Sequence, residues 1–424
     1  MDSIADEELL GDRTPGSSAQ LKRALLTLLL VALTGYSTRV LPVFRDALQD
    51  YFDISVEKLG LLYGIRFVPA AIASVLAGMF IDSKGPRSVL RVCFAGFAGG
   101  ACLAALADRW GMMLLAVGTL GCFRLPLLIA SQSYLVRLFP NRRRRVISLT
   151  LVTWSIAGML YPLWAEFLLD LQAGHEGITF SNVLHAPFAV LMVPMLLGFF
   201  LHRRGNSRPQ VAGASSAGRL PLSGLSRGTL MLALLAMLHM TFDCSAQAWM
   251  PRILDSGAFP VKAIRPGYVM SGFALCYAIS RAGLSFLPER MGRRLLLVAP
   301  GFLGGGAFLA GVLSRNQALT ALGYVGGAFL WSVEFPAILA RMSEREPQRY
   351  GSAQAITLLG ASLGTFALTY LMGWLGKGMH ETAWWSILLI PAAGFPLVGI
   401  GGAIWIAKYG RAHDEAGAAA SDLL

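Results

Sequence analysis

The chain has few charged residues, few cysteines and little polar sequence in which a soluble domain could fold. Only 14% of its 424 residues are charged, whereas 55% are hydrophobic. Its five cysteines lie within apolar stretches and lack metal-ligand spacing, so they indicate neither a metal site nor a disulfide framework. Walker-type phosphate loops and nucleophile elbows are also absent. We therefore expect no soluble enzyme, nucleotide-binding cassette or DNA-reading domain, and no cofactor.

What the sequence does contain is about a dozen strongly apolar stretches between Ala24 and Ala407, separated by short polar loops. A helix needs roughly 20 apolar residues to cross the hydrocarbon core of a bilayer. The sequence therefore predicts an all-α membrane protein with 12 transmembrane helices, so the lipid bilayer is its first partner. The predicted spans are 24–44, 59–81, 89–106, 112–138, 146–169, 183–201, 229–250, 268–287, 295–313, 318–339, 352–375 and 384–407.

Basic residues are concentrated in alternate loops. If the N-terminus is inside, 24 of the 36 Lys and Arg residues lie in cytoplasmic segments and only seven on the opposite side. Cytoplasmic loops retain Lys and Arg, so we expect both termini in the cytoplasm and the protein in the cell (cytoplasmic) membrane. The net charge of +12 then reflects membrane topology and lipid headgroups, and no nucleic-acid partner is expected. The polar start of the chain predicts no cleavable signal peptide.

A polar segment rich in Gly, Ser, Pro and Arg divides the spans into six and six. This composition is typical of a flexible linker. The sequence thus predicts two six-helix bundles joined through the cytoplasm. The expected domains are a tail at 1–22, a bundle at 23–202, a linker at 203–227, a second bundle at 228–408 and a tail at 409–424.

The loop between the second and third spans contains Gly78, Asp82, Gly85 and Arg87, and Glu289, Gly292 and Arg293 form a weaker copy in the second half. With the six-plus-six pattern and the basic linker, this motif resembles the major facilitator superfamily (MFS) of secondary transporters. The resemblance implies two pseudo-symmetric bundles, transport by alternating access, and a central cavity lined by the first, fourth, seventh and tenth helices.

Several charged residues fall inside the predicted spans. A charge at the bilayer centre costs about 2.5–3.5 kcal/mol on insertion scales. We therefore expect four arginines to face partners, water or a ligand: Arg39, Arg66, Arg124 and Arg281. On one helix face, His239, Asp243 and Gln247 recur every four residues.

These positions give three groups of candidate site residues. We expect substrate contact from Tyr36, Arg39, Arg66, Arg124, Gln132, Gln247, Arg281 and Trp331. We expect proton coupling through His239, Asp243 and Glu334. The resemblance implies conformational latches at Asp82, Gly85, Arg87, Glu289 and Arg293.

Other roles stay open for some of these residues. Arg39 could pair with Asp243 or Glu334 as a gate or a buried strut. Arg66 and Arg281 could cap carbonyls or form ion pairs within one half, and the Asp82–Arg87 loop could be only a positively charged turn. Arg45 and Asp46, near the outer end of the first span, are expected to extend to water.

The sequence therefore favours a secondary transporter that moves a small polar or anionic organic solute with proton coupling, symport rather than antiport. We expect it to act as a monomer. One alternative is efflux of sugars or amphipathic drugs, with structural arginines. A membrane receptor or channel is a weaker alternative of another class.

Overall fold

We describe a computed structural model of the chain, covering residues 18–36, 40–139, 143–202, 225–260, 264–286, 295–346 and 349–410. The described residues are almost entirely helical and contain no strand. Nine helices in these ranges are long and apolar enough to cross a membrane, and Ala299–Leu313 is a shorter apolar helix.

The first bundle precedes the linker. Its helices are α1 (Ser18–Leu33), α2 (Arg45–Phe52), α3 (Val56–Ile65), α4 (Phe67–Lys84), α5 (Pro86–Ala105), α6 (Trp110–Leu138), α7 (Arg143–Gly174) and α8 (Phe180–Leu201). We call it the N-terminal bundle. Its end at Leu201 is called the linker end, and the opposite end, at Phe52, the far end.

The second bundle follows the linker and is called the C-terminal bundle. Its helices are α9 (Arg227–Asp255), α10 (Pro266–Phe286), α11 (Ala299–Leu313), α12 (Gln317–Trp331), α13 (Glu334–Arg345), α14 (Tyr350–Lys377) and α15 (Leu389–Trp405). Short 3₁₀ segments at Leu295–Leu297 and Glu381–Leu388 and a π turn at Ile406–Gly410 complete it. These helices fit the twelve predicted spans and confirm the fold class.

Three of the twelve spans are broken. Prolines account for two breaks, because Pro69 and Pro336 have no N–H to donate to the carbonyl four residues earlier. Those breaks separate α3 from α4 and α12 from α13. The predicted first span, 24–44, is interrupted after Leu33, where Gly35 N donates to Ala32 O (3.0 Å) in a tight turn.

The two bundles meet along two helix pairs, α4 with α14 and α7 with α10. At the far end, Arg45 of α2 forms an ion pair with Asp255 of α9, and the Arg252 guanidinium donates to Gln49 Oε1 (3.0 Å). Arg45 is only 8% exposed. The expectation that Arg45 extends to water was therefore wrong, because an acid from the opposite bundle is within its reach.

Candidate functional site

A buried acid–base pair lies inside the C-terminal bundle. His239 of α9 and Glu334 of α13 are 1% and 0% exposed, and His239 Nδ1 lies 2.8 Å from Glu334 Oε2. Phe335 and Phe395 pack their rings around the imidazole. Among the described residues, no donor reaches Glu334 Oε1. This carboxyl is thus held in an apolar environment with one basic neighbour, where gain and loss of a proton have large energetic consequences.

One helical turn further along α9, Asp243 belongs to a second polar cluster. Its Oδ1 accepts from the Tyr277 hydroxyl (2.6 Å), and its Oδ2 accepts from Gln247 Nε2 (2.9 Å). The Trp331 indole N–H donates to the same tyrosine oxygen (2.6 Å). The cluster therefore joins α9, α10 and α12. His239, Asp243 and Gln247 follow the predicted face of α9.

Arg281 of α10 connects the two bundles beside this cluster. Its Nε donates to the Ser332 carbonyl (3.2 Å), and one terminal nitrogen donates to Ser155 Oγ of α7 (3.1 Å). The guanidinium carbon lies 4.3 Å from the centre of the Tyr277 ring. Arg281 thus caps a carbonyl, as one of the open alternatives held, and it also reaches the opposite bundle.

Arg124 of α6 approaches the same part of α7 from the N-terminal bundle. Its guanidinium carbon lies 4.5 Å from the ring centre of Trp154, the residue next to Ser155. Arg124 and Arg281 therefore contact consecutive residues of one helix. One cation from each bundle therefore lies against the same turn of α7.

Arg66 lies at the break in the second span and is buried against its own bundle. Its guanidinium carbon is 4.9 Å from the Phe67 ring centre. The backbone of Arg66 packs so closely on Gly121 that a Cβ at that position would collide with it. This contact fixes α4 against α6.

A buried amide pair also joins the bundles. Gln354 Nε2 of α14 donates to Gln132 Oε1 of α6 (2.8 Å). Both side chains are nearly inaccessible to solvent. Gln132, predicted as a substrate ligand, is thus engaged by the opposite bundle in this conformation.

Two predicted substrate ligands each lie within the packed interior of their own bundle, Tyr36 in the N-terminal and Trp331 in the C-terminal bundle. Tyr36 is 3% exposed and contacts the edges of Tyr161 and Phe188, and Trp331 is 0% exposed and stacks on Phe395. Neither position supports direct contact with a solute, because neighbouring side chains cover both rings. Trp331 instead orients Tyr277. Arg39 lies outside the described residues.

The predicted latch residues are only partly described. Gly85 has φ 83°, which favours glycine, in the turn between α4 and α5. The guanidinium carbon of Arg87 lies 5.4 Å from the Tyr134 ring centre. The Asp82 side chain, Glu289 and Arg293 lie outside what the structure describes, so the latch stays a prediction.

Tyr277, Ser155 and Gln354 are not among the site residues that the sequence predicts. Tyr277 could have been found, because it lies four residues before Arg281 and therefore shares its helix face. Ser155 and Gln354 carry no signal in the sequence, since small polar residues are common in membrane helices.

Comparison with known proteins agrees with this architecture. The family model described as Major Facilitator Superfamily matches residues 26–263. Curated proteins give no match by sequence. A solved structure of FucP, an MFS transporter in the outward conformation, is 16% identical with a TM-score of 0.69; the alignment covers 90% of this chain and 98% of that one. The E. coli fucose:proton symporter FucP, as an Asn-to-Ala variant, is 17% identical with a TM-score of 0.66, over 90% and 98% of the two chains. Since the family model covers more than half of the sequence, the chain belongs to the Major Facilitator Superfamily and is a multi-pass membrane transporter.

Proposed function

We propose that the protein is a proton symporter for a small anionic organic solute, working by alternating access. The observation that carries this proposal is the buried His239–Glu334 pair, with Arg281 bound to the carbonyl two residues before Glu334 and Arg124 stacked on Trp154. The pair binds and releases the proton, and the cations attract the solute. Arg281 contacts both bundles, so relative movement of the bundles changes its surroundings.

The proton site is supported by its burial and by the neighbour of the acid. A buried carboxylate is costly unless it is paired, whereas the neutral acid is tolerated. Exposure to water on one side of the membrane favours ionisation and proton release. Return to the apolar environment favours proton uptake. Alternating exposure of Glu334 would therefore move one proton in each transport cycle, and His239 would stabilise the ionised form.

The solute site is supported by Arg124 and Arg281. Guanidinium groups bind carboxylates and phosphates through paired hydrogen bonds. An anion between these residues would contact both bundles and draw them together around it. Arg66 and Gln247 are further candidate ligands, with Tyr277 and Asp243 orienting the amide of Gln247.

The membrane arrangement belongs to the same proposal. The protein lies in the cell membrane as a monomer with both termini and the linker in the cytoplasm, so the linker end faces inward. We propose the same domain bounds as the sequence predicts. The loop of Asp82, Gly85 and Arg87 and its copy at Glu289 and Arg293 hold the inner side closed in one state.

The test is uptake by proteoliposomes containing the purified protein. Radiolabelled carboxylates, phosphates and sugars are offered with and without an inward proton gradient, and with an uncoupler. We expect the gradient to drive accumulation of a small carboxylate or phosphate. Glu334→Gln should abolish this accumulation but keep exchange of solute at equal concentrations, because exchange needs no net proton movement.

Glu344→Gln is the matched control. Glu344 lies on the same helix near the linker end, paired with Arg341 (3.1 Å). Full coupling in Glu334→Gln would exclude Glu334 as the proton carrier. Uptake of a neutral sugar alone would exclude the anion assignment. Sugar symport is the second candidate function, favoured by the similarity to a fucose symporter and by the Asp243–Gln247–Tyr277 cluster.

A further inference from the structure

The break in the tenth span lies between the proton site and the bundle interface. α12 ends at Trp331 and α13 begins at Glu334. Pro336 causes the break, because it has no N–H to donate to the Ser332 carbonyl. A backbone carbonyl in the interior of a membrane protein needs another donor when the helical one is lost.

Arg281 supplies this donor and holds the opposite bundle with the same guanidinium. Its Nε donates to Ser332 O (3.2 Å), and a terminal nitrogen donates to Ser155 Oγ (3.1 Å). Glu334 follows Ser332 by two residues and is the first residue of α13. A single side chain therefore connects the break just before α13 to α7.

We infer that Pro336 and Arg281 are positioning residues that couple the proton site to the movement of the bundles. The inference rests on the proposed function, since it takes Glu334 as the proton carrier. The break places Glu334 at a helix N-terminus, whose partial positive charge stabilises the ionised carboxylate. Protonation removes that attraction and changes the hydrogen bond with His239. α13 then turns about the break, and Arg281 transmits the turn from Ser332 to Ser155.

The test is Pro336→Ala. Alanine supplies an N–H for Ser332 O and favours the helix, so α12 and α13 should become continuous. Glu334 would then lie mid-helix without the helix end beside it. Infrared difference spectroscopy on the protein in lipid vesicles follows the protonated carboxyl band against pH, and Glu334→Gln assigns the band. We expect the titration midpoint in Pro336→Ala to move to higher pH by roughly half a unit to one unit.

Pro194→Ala is the matched control, because it makes the same chemical change inside α8, away from the site. We expect its midpoint to equal that of the wild type. A wild-type midpoint in Pro336→Ala would overturn the inference and leave the proposed function standing. A carboxyl band that persists in Glu334→Gln would instead remove Glu334 as the proton carrier.

Arg281→Lys tests the same connection if Pro336→Ala does not fold. Lysine keeps the charge, but its single ammonium cannot reproduce the fork that joins Ser332 to Ser155. We expect its titration midpoint to differ from that of the wild type. A midpoint identical to the wild type would overturn the inference independently of Pro336.

Discussion

The two bundles share an architecture but differ in how each stabilises its broken cavity helix. At the break after α1, the Ala32 carbonyl accepts from Gly35 N (3.0 Å) and also from the neutral Tyr161 hydroxyl (3.2 Å). At the break after α12, the Ser332 carbonyl accepts from the charged Arg281 (3.2 Å). At both breaks a side chain thus donates to a carbonyl that has lost its helical partner. The C-terminal cap, Arg281, also donates to Ser155 of the other bundle.

The buried charges are also divided unequally. Among the described residues, the buried carboxylates are Asp243 and Glu334, both in the C-terminal bundle. The N-terminal bundle contributes Arg66 and the half-buried Arg124 to the interior. The repeated fold therefore constrains the packing of each bundle but not which charged residues it buries. In the proposed function, the proton is carried by one bundle and the anion is attracted by both.

The largest expected difference between the bundles is in acid stability. His202, just beyond α8, is buried, stacks on Phe94 and lies 3.3 Å from Thr27 Oγ1. Burial lowers its pKa from 6.5 to about 4, and Arg87 and Arg23 add to the lowering. The unfolded chain therefore binds the proton more readily. The free energy of unfolding is therefore unaffected by His202 above pH 6.5 and falls by about 3 kcal/mol as the pH drops toward 4.

Hydrogen exchange at pH 7 and pH 4.5 measures this difference. We expect α1, α5 and α8 to lose protection at acid pH, whereas α9, α13 and α15 keep it. The linker end of the C-terminal bundle instead uses the Trp405 indole, which donates to Gly228 O (2.9 Å) and does not titrate. His202→Phe should remove the acid sensitivity. Equal loss of protection in both bundles would contradict the assignment to His202.

The second comparison concerns close packing in each bundle. A Cβ on Gly121 would meet the Arg66 backbone, and one on Gly402 would meet the Leu297 carbonyl. Overpacking of this kind costs about 1–3 kcal/mol. We expect Gly121→Ala and Gly402→Ala to lower the Tm in detergent, whereas Gly99→Ala and Gly306→Ala, with open space around the Cβ, should not. Unchanged Tm values at Gly121 and Gly402 would show that the helices separate easily.

The third comparison tests whether both bundles hold the solute. Arg124→Gln and Arg281→Gln each remove one charge-assisted contact, which we expect to weaken binding of the transported carboxylate or phosphate about tenfold. The measurement is the half-saturating concentration in solute exchange. Arg315→Gln, which removes an arginine stacked on Trp385 at the far end, is the control. An effect at Arg281 alone would confine the solute to the C-terminal bundle.

The smallest expected effect is at the far end, where Arg45 and Asp255 join the bundles. Asp255 is 42% exposed on its side chain, so its pair with Arg45 should contribute less than about 1 kcal/mol. We expect Asp255→Asn to change the rate of solute exchange only two- to fivefold, and the exchanged pair Arg45→Asp with Asp255→Arg to restore it. Failure of that restoration would mean that Gln49 and Arg252 carry the contact.

The sequence was sufficient to predict the membrane fold and to identify the charged residues within the spans that need partners. Apolar length predicted the spans, and the cost of a charge in lipid singled out Arg66, Arg124 and Arg281 as side chains that need partners. The placement of Tyr36 and Trp331 could not be predicted in this way. An aromatic ring can face either a cavity or a packed core, and periodicity does not distinguish the two.

By itself, the sequence determined that the chain crosses the membrane repeatedly and that it consists of two six-helix halves, because transfer into lipid depends on local composition. Only the tertiary structure decided that Glu334 is paired with His239, and that Arg281 holds both Ser332 and Ser155. A hydrogen bond forms only when donor and acceptor are placed to within a few tenths of an ångström, and here they belong to helices far apart in the chain. Packing of whole helices sets those distances, and the composition of single spans does not encode them.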